Sequence, residues 1–138
     1  MLGYSRDALD FSFYEDLQLL FIRGEGFITQ SERILTMLAW LQDPAYEQCL
    51  DALFDISAAK STPRLAELRE LIGILERHLP SSGPRKLAVV TSKPITFAVA
   101  RIFGDLIQIE GVPLEVKVFL DREKAWGWLR PDAVPEAR

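Results

Sequence analysis

A chain of 138 residues with 49% hydrophobic and 26% charged side chains is sized for one domain, residues 1–138, around a single core. Its formal net charge is -4, and its 16 Lys and Arg residues are scattered rather than gathered into a stripe, which argues against a nucleic-acid surface. The single cysteine, Cys49, excludes an intramolecular disulfide and a cysteine-based zinc site, and with one histidine, His78, metal catalysis and Ser-His-Asp chemistry lack their usual raw material.

Residues 11 to 28 read as two strands meeting near Glu15-Asp16. Phe11 and Phe13, then Leu17, Leu19 and Phe21, alternate with period two, and Leu20 and Ile22 add apolar groups on the other face. Arg23-Gly24-Glu25-Gly26 reads as a bend or bulge. Thr29-Gln30-Ser31-Glu32 has capping-box spacing, and Ile34, Leu35, Leu38 and Leu41 follow at helical intervals until Asp43-Pro44. After a short connector through Tyr46, Leu50 to Ile56 supplies a central strand that ends in the turn Ser57 to Pro63. Thr62 as N-cap with Pro63 at the first helical position predicts the next helix, whose stripe is Leu65, Leu68, Leu71, Ile72 and Leu75.

Pro80-Ser81-Ser82-Gly83-Pro84 stops that helix. Lys86 to Thr91 is the next strand, apolar throughout as a strand covered on both faces should be. Ser92-Lys93-Pro94 opens a third helix that Gly111 and Pro113 close. Leu114 to Phe119 alternates as a more exposed strand, Asp121 caps a short helix carrying Trp126 and Trp128, and a polar tail runs from Pro131. The core spans about residues 10 to 130. Met1 to Asp10 has no signal-peptide stretch and no run approaches the ~20 apolar residues of a membrane helix, so the expectation is a cytoplasmic protein that does not cross a membrane.

Parallel strands joined by helices put their C-terminal ends on one rim, which here collects Asp55, Ser57, Ser61, Thr62, Thr91, Ser92 and Asp121. Asp55 and Asp121 are the carboxylates nearest strand ends, but an N-cap role suits Asp121 and a turn-holding role suits Asp55. The hydroxyls of Ser57, Ser61 and Thr62 have no adjacent base, so phosphorylation suits them better than nucleophilic catalysis. Cys49 reads as a small buried apolar residue and His78 as a charge at a helix C-terminus. No catalytic set, metal site or cofactor motif emerges.

The order strand, strand, helix, strand, helix, strand, helix, strand, helix resembles the SpoIIAA-like group of STAS domains. The segments that carry the likeness are Leu53-Phe54-Asp55-Ile56-Ser57, Lys86-Leu87-Ala88-Val89-Val90, Phe97-Ala98-Val99-Ala100-Arg101-Ile102-Phe103 and Val116-Lys117-Val118-Phe119 leading to Ala125-Trp126-Gly127-Trp128-Leu129. The resemblance implies an α/β fold, a mixed central sheet of about five strands with about four helices, in a divergent branch of that group. It also implies a non-enzymatic regulatory or protein-binding module, like the anti-sigma factor antagonists that one Ser phosphorylation switches off. The switch lies in an Asp-Ser-Ser-Gly segment in those proteins. Here Lys60-Ser61-Thr62-Pro63 stands in its place, with Ser61 or Thr62 as the nearest equivalent.

The expected partner is therefore a protein, with no cofactor. The alternative is a carrier of a small molecule or lipid, since the fold is related in outline to lipid-binding domains and Trp126 and Trp128 are available to line an apolar pocket. Phe11, Phe13 and Phe21 on an outer strand suggest an apolar face that a homodimer would cover.

Overall fold

Successive strand and helix patterns become successive layers in the computed structural model, which describes residues 8–49, 51–79 and 85–131. Strands β1 (Leu9–Tyr14) and β2 (Leu19–Gly26) form a hairpin around a 3-10 turn at Glu15–Leu17, and Gln18 takes the left-handed conformation, φ 52°, where the chain reverses. There follow α1 (Gln30–Leu41), a 3-10 turn (Pro44–Gln48), β3 (Asp51–Ala59), α2 (Leu65–His78), β4 (Arg85–Val90), α3 (Pro94–Ile109), β5 (Leu114–Phe119) and α4 (Arg122–Leu129). The sheet runs β1-β2-β3-β4-β5, antiparallel between the first two strands and parallel from β2 onward.

Strand order thus follows chain order without reversal. Crossovers of one hand, all stepping in one direction, put their helices on a single face of the sheet. Trp40 and Leu41 of α1, Ile72 and Leu75 of α2 and Ile107 of α3 accordingly share one core with Leu20 and Ile22 of β2. Helix α4 makes no crossover. It lies across the opposite face, where Ala125 and Leu129 pack on Leu19, Leu53, Ala88 and Val90.

Local chemistry sets the element ends. In the capping box of α1 the Thr29 side chain accepts from the Glu32 amide at 3.1 Å, and the Thr29 amide donates to Glu32 Oε1 at 2.8 Å. Asp121 Oδ1 caps α4 by accepting from the Lys124 amide at 2.9 Å. Gly24 marks the bulge between β2 and β3, because a Cβ there would stand 3.0 Å from Ile28 Cδ1 and 3.2 Å from Leu9 Cδ2.

Several expectations are corrected. Past the bulge, Glu25 and Gly26 pair with Ala58 and Ala59, so β3 continues to Ala59 and Ser57 is a strand residue rather than the start of a turn. Thr62 is not the N-cap of α2. That position belongs to Arg64, whose amide donates to Glu67 Oε1 at 2.9 Å, because Glu67 stands three residues after Arg64 and supplies the carboxylate a capping box needs.

The outer-strand phenylalanines do not share a face. Phe11 and Phe13 pair with Ile22 and Leu20 and pack toward the three helices, whereas Phe21 lies on the α4 side. The connector through Tyr46 is an ordered 3-10 turn, capped by Asp43. Leu50, the Pro80 to Pro84 stop, the segment before Ala8 and the tail beyond Pro131 lie outside the described residues. Among the described residues, no helix is long and apolar enough to cross a membrane.

Candidate functional site

Three helices laid over four parallel-linked strands do not fill the space beneath them. A cavity of about 150 Å³ lies between sheet and helices, with walls formed by Ile22, Ala52 and Val89 of the sheet, Met37 of α1, Leu71 of α2 and Phe103 of α3. The walls are overwhelmingly aliphatic and aromatic. A space of this size matches a molecule of about one aromatic ring, and its apolar walls offer water few hydrogen-bond partners.

The two ends of the cavity differ. At the N-terminal ends of β3 and β4, its lining includes Tyr46, Cys49 and Arg85, which are 4%, 0% and 2% exposed. The Arg85 guanidinium lies 4.5 Å above the Tyr46 ring and donates from Nη1 to the backbone carbonyls of Tyr46, at 3.2 Å, and Cys49. Burial pushes the Tyr46 hydroxyl up to about 12 against the opposing pull of Arg85, and burial likewise raises the Cys49 thiol, with Glu15 adding to it. Cys49 packs here as a small, fully buried side chain.

At the opposite end, where the parallel strands finish, Ser61, Thr62 and Pro63 line the cavity and are only half-buried. Here Ser61 accepts from the Ile28 amide at 2.9 Å and donates to the Ile28 carbonyl at 3.2 Å, so that the β2–α1 and β3–α2 junctions are tied together. Arg33 borders the same end. Burial lowers its pKa, while Glu67, 3.8 Å away, and Glu32 favour its charge.

The seven rim residues are not gathered into one site. Ser61 and Thr62 belong to the cavity side of the sheet. Asp55 faces the other side, 9% exposed, accepting from the Ser57 amide at 2.9 Å and from Arg122 Nε at 2.6 Å. Burial alone would raise the Asp55 carboxyl, but the Ser57 amide and the Arg122 guanidinium outweigh it and hold it below its ordinary value. Asp121 is engaged as a cap, and exposed Ser92 precedes α3. Thr91 is fully buried, its hydroxyl accepting from the Lys93 amide at 3.3 Å.

Two features were missed from sequence. The cavity is not lined by Trp126 or Trp128, which sit on the α4 side, Trp128 against Phe119 and the Lys86 and Lys117 ammonium groups and Trp126 beneath the Arg130 guanidinium. Helix α4 is latched at both ends, by Arg122 to Asp55 and by Arg130 to Asp51 and the carbonyls of Leu17 and Gln18. Arginines flanking a short apolar helix were the available signal. Small residues at Ala52, Ala59 and Ala100, which line the cavity, were the corresponding hint of unfilled space.

No family model matches the chain, and no curated protein does. Among solved structures, the chain is similar to an uncharacterised protein of the DUF3478 family with a SpoIIAA-like fold, from Shewanella loihica PV-4. The two are 16% identical, with a TM-score of 0.57, over 94% of this chain and 99% of that one. The fold is SpoIIAA-like, in a divergent form, as the order of sequence segments implies.

Proposed function

We propose that the protein is a non-catalytic binding module that takes up a small apolar molecule, about one aromatic ring or a short alkyl chain, between its sheet and its three crossover helices. The observation that carries this is the apolar cavity between sheet and helices. Absence of catalysis is supported by how the acids are used. Asp55 is held ionised by two hydrogen bonds and Asp121 is spent on a cap, so neither is poised as a proton donor.

Binding is tested by thermal shift and calorimetry with a series of benzene, indole and straight-chain alcohols. Wild type should be stabilised by the members that fit. Ala100→Leu, which projects a larger side chain into the cavity, should lose that stabilisation while remaining folded. Equal stabilisation of both proteins would sink the reading.

A second reading, regulation through a protein partner with a Ser switch, is favoured by one detail. Ser61 both lines the cavity and ties the β2–α1 and β3–α2 junctions together through Ile28, so a phosphate there would break two hydrogen bonds and place about two negative charges against an apolar wall. Ser61→Asp should weaken uptake of the alcohols well beyond Ser61→Ala. Identical behaviour of the two variants would remove the switch.

A further inference from the structure

Strand β5 is an edge whose outer bonding groups are open. Among the described residues it pairs with β4 alone, and the carbonyls of Pro113 and Phe119 accept from the Arg85 and Thr91 amides at 3.4 Å and 3.0 Å. Backbone groups alternate in direction along a strand, so the intervening residues Leu114, Val116 and Val118 turn theirs away from β4. The Leu114 amide donates to the Val112 carbonyl at 2.7 Å, which leaves the Leu114 carbonyl and both groups of Val116 and Val118 on the outer side. Side chains alternate as well. Leu114 and Val116 pack toward the crossover helices, while Glu115 and Lys117 stand exposed on the α4 face.

An open edge fits another strand, and charge decides which strand and in what register. Neither Glu115 nor Lys117 belongs to an ion pair among the described residues. Lys86, the neighbour of Glu115 on β4, turns its ammonium to the Trp128 ring at 5.1 Å, and Lys117 lies 5.8 Å from the same ring. A second, antiparallel β5 centred on Glu115 or on Lys117 would face like charges. Centred on Val116, it sets Glu115 of each copy opposite Lys117 of the other. That register also matches the open backbone groups, because the two Val116 residues exchange both bonds and each Val118 amide reaches the Leu114 carbonyl of the other copy.

Helix α3 carries the same symmetry above the sheet. A Cβ on Gly104 would stand 3.4 Å from Val116 Cβ, so an axis normal to the sheet beside Val116 passes α3 at the level of Gly104. Glu110 faces α2, where it pairs with Arg69 at 3.9 Å, and Arg101, about half a turn round the helix from Glu110, faces out over the β5 edge. Asp105 lies one turn along from Arg101. Both are exposed, neither is in an ion pair among the described residues, and they flank Phe103, the residue next to Gly104. The axis that sets Glu115 against Lys117 therefore also brings Arg101 of each copy to Asp105 of the other. We infer that two copies of this chain join edge to edge through β5, antiparallel and centred on Val116, into one continuous sheet with α3 beside α3. Such a contact is self-complementary, as a twofold interface must be. It lies at the edge opposite Phe11 and Phe13 and does not depend on the cavity.

The test is sedimentation equilibrium of the full chain over a range of concentrations. Wild type should dimerise. Lys117→Glu and Glu115→Lys should each weaken the dimer by about tenfold, since each turns two attractive pairs into two repulsive ones. An equimolar mixture of these two variants should recover it as a heterodimer, because every facing pair is then opposite in sign. Arg101→Glu should weaken it too, and adding Asp105→Arg to the same chain should restore it. All four positions are exposed, and circular dichroism of each variant checks that the fold is kept. A wild type that stays monomeric at the highest attainable concentration overturns the inference. So does a dimer indifferent to Glu115 and Lys117, or a failure of the two charge variants to recover one another.

Discussion

The two faces of the sheet are covered by opposite strategies. Three crossover helices spread across one face, bonded mainly by apolar contact, and leave a void of about 150 Å³ beneath them. One helix of eight residues covers part of the other, pressed so close that Ala88 and Ala125 are both fully buried, and it is pinned by arginines at its two ends. A broad apolar layer tolerates slack because its many contacts are non-directional. A helix too short to be stable alone needs directional bonds to fix its place. The slack therefore falls on the side where a ligand is useful.

The largest effect should come from the cavity face itself. Leu20 is completely buried beneath the helices, and Leu20→Ala should cost about 3–4 kcal/mol in urea unfolding. A loss below about 2 kcal/mol would mean the helices collapse into the existing void instead of enlarging it. Next, Ala125→Leu should cost about 1–3 kcal/mol by overpacking the tight side, with amide exchange accelerated in α4 alone. Comparable damage from Ala100→Leu on the loose side would erase the contrast between the faces.

The latches come next. Arg130→Met strands the partly buried Asp51 carboxylate and should lose about 1–2 kcal/mol. A cycle with Asp51→Asn should show coupling; additive losses would mean the latch is decorative. Smallest is Asp55→Asn, about 1 kcal/mol, because Arg122 is more than half exposed to solvent. Its sign with pH follows from a folded carboxyl held below the ordinary 3.8. The contribution is fully present above that value and lost as pH falls through the lower folded one. The difference between wild type and Asp55→Asn should accordingly shrink in strong acid, and a gap that widened there would contradict the ion pair.

Much of the architecture is legible in the chain because periodicity, caps and prolines agree with the fold. The Thr29 capping box, the Asp121 cap and the apolar run Leu87 to Val90 all act as their residue types dictate. Misplaced boundaries arose where two local signals competed. Thr62-Pro63 is a good helix start, but Arg64 with Glu67 is completed by actual hydrogen bonds, and Ser57 to Ala59 looks like a turn until Glu25 and Gly26 offer it a partner strand. The site was less legible. Reasoning from strand ends looked to the rim where the parallel strands finish, but this sheet has no reversal of strand order to open a crevice there, and the space lies under the helices instead. A void is a property of how three surfaces meet, and no single residue encodes it.

Arg130 ties itself to Leu17, across a separation of 113 residues, and to Asp51 at the start of β3. Until that residue is in place, Leu19, Leu53, Ala88 and Val90 have nothing over them. A chain cut short of α4 would thus carry a correctly ordered sheet with one bare apolar side, an adhesive fragment. The final helix works as a certificate of completeness, turning a surface that chaperones and proteases would seize into one they pass over.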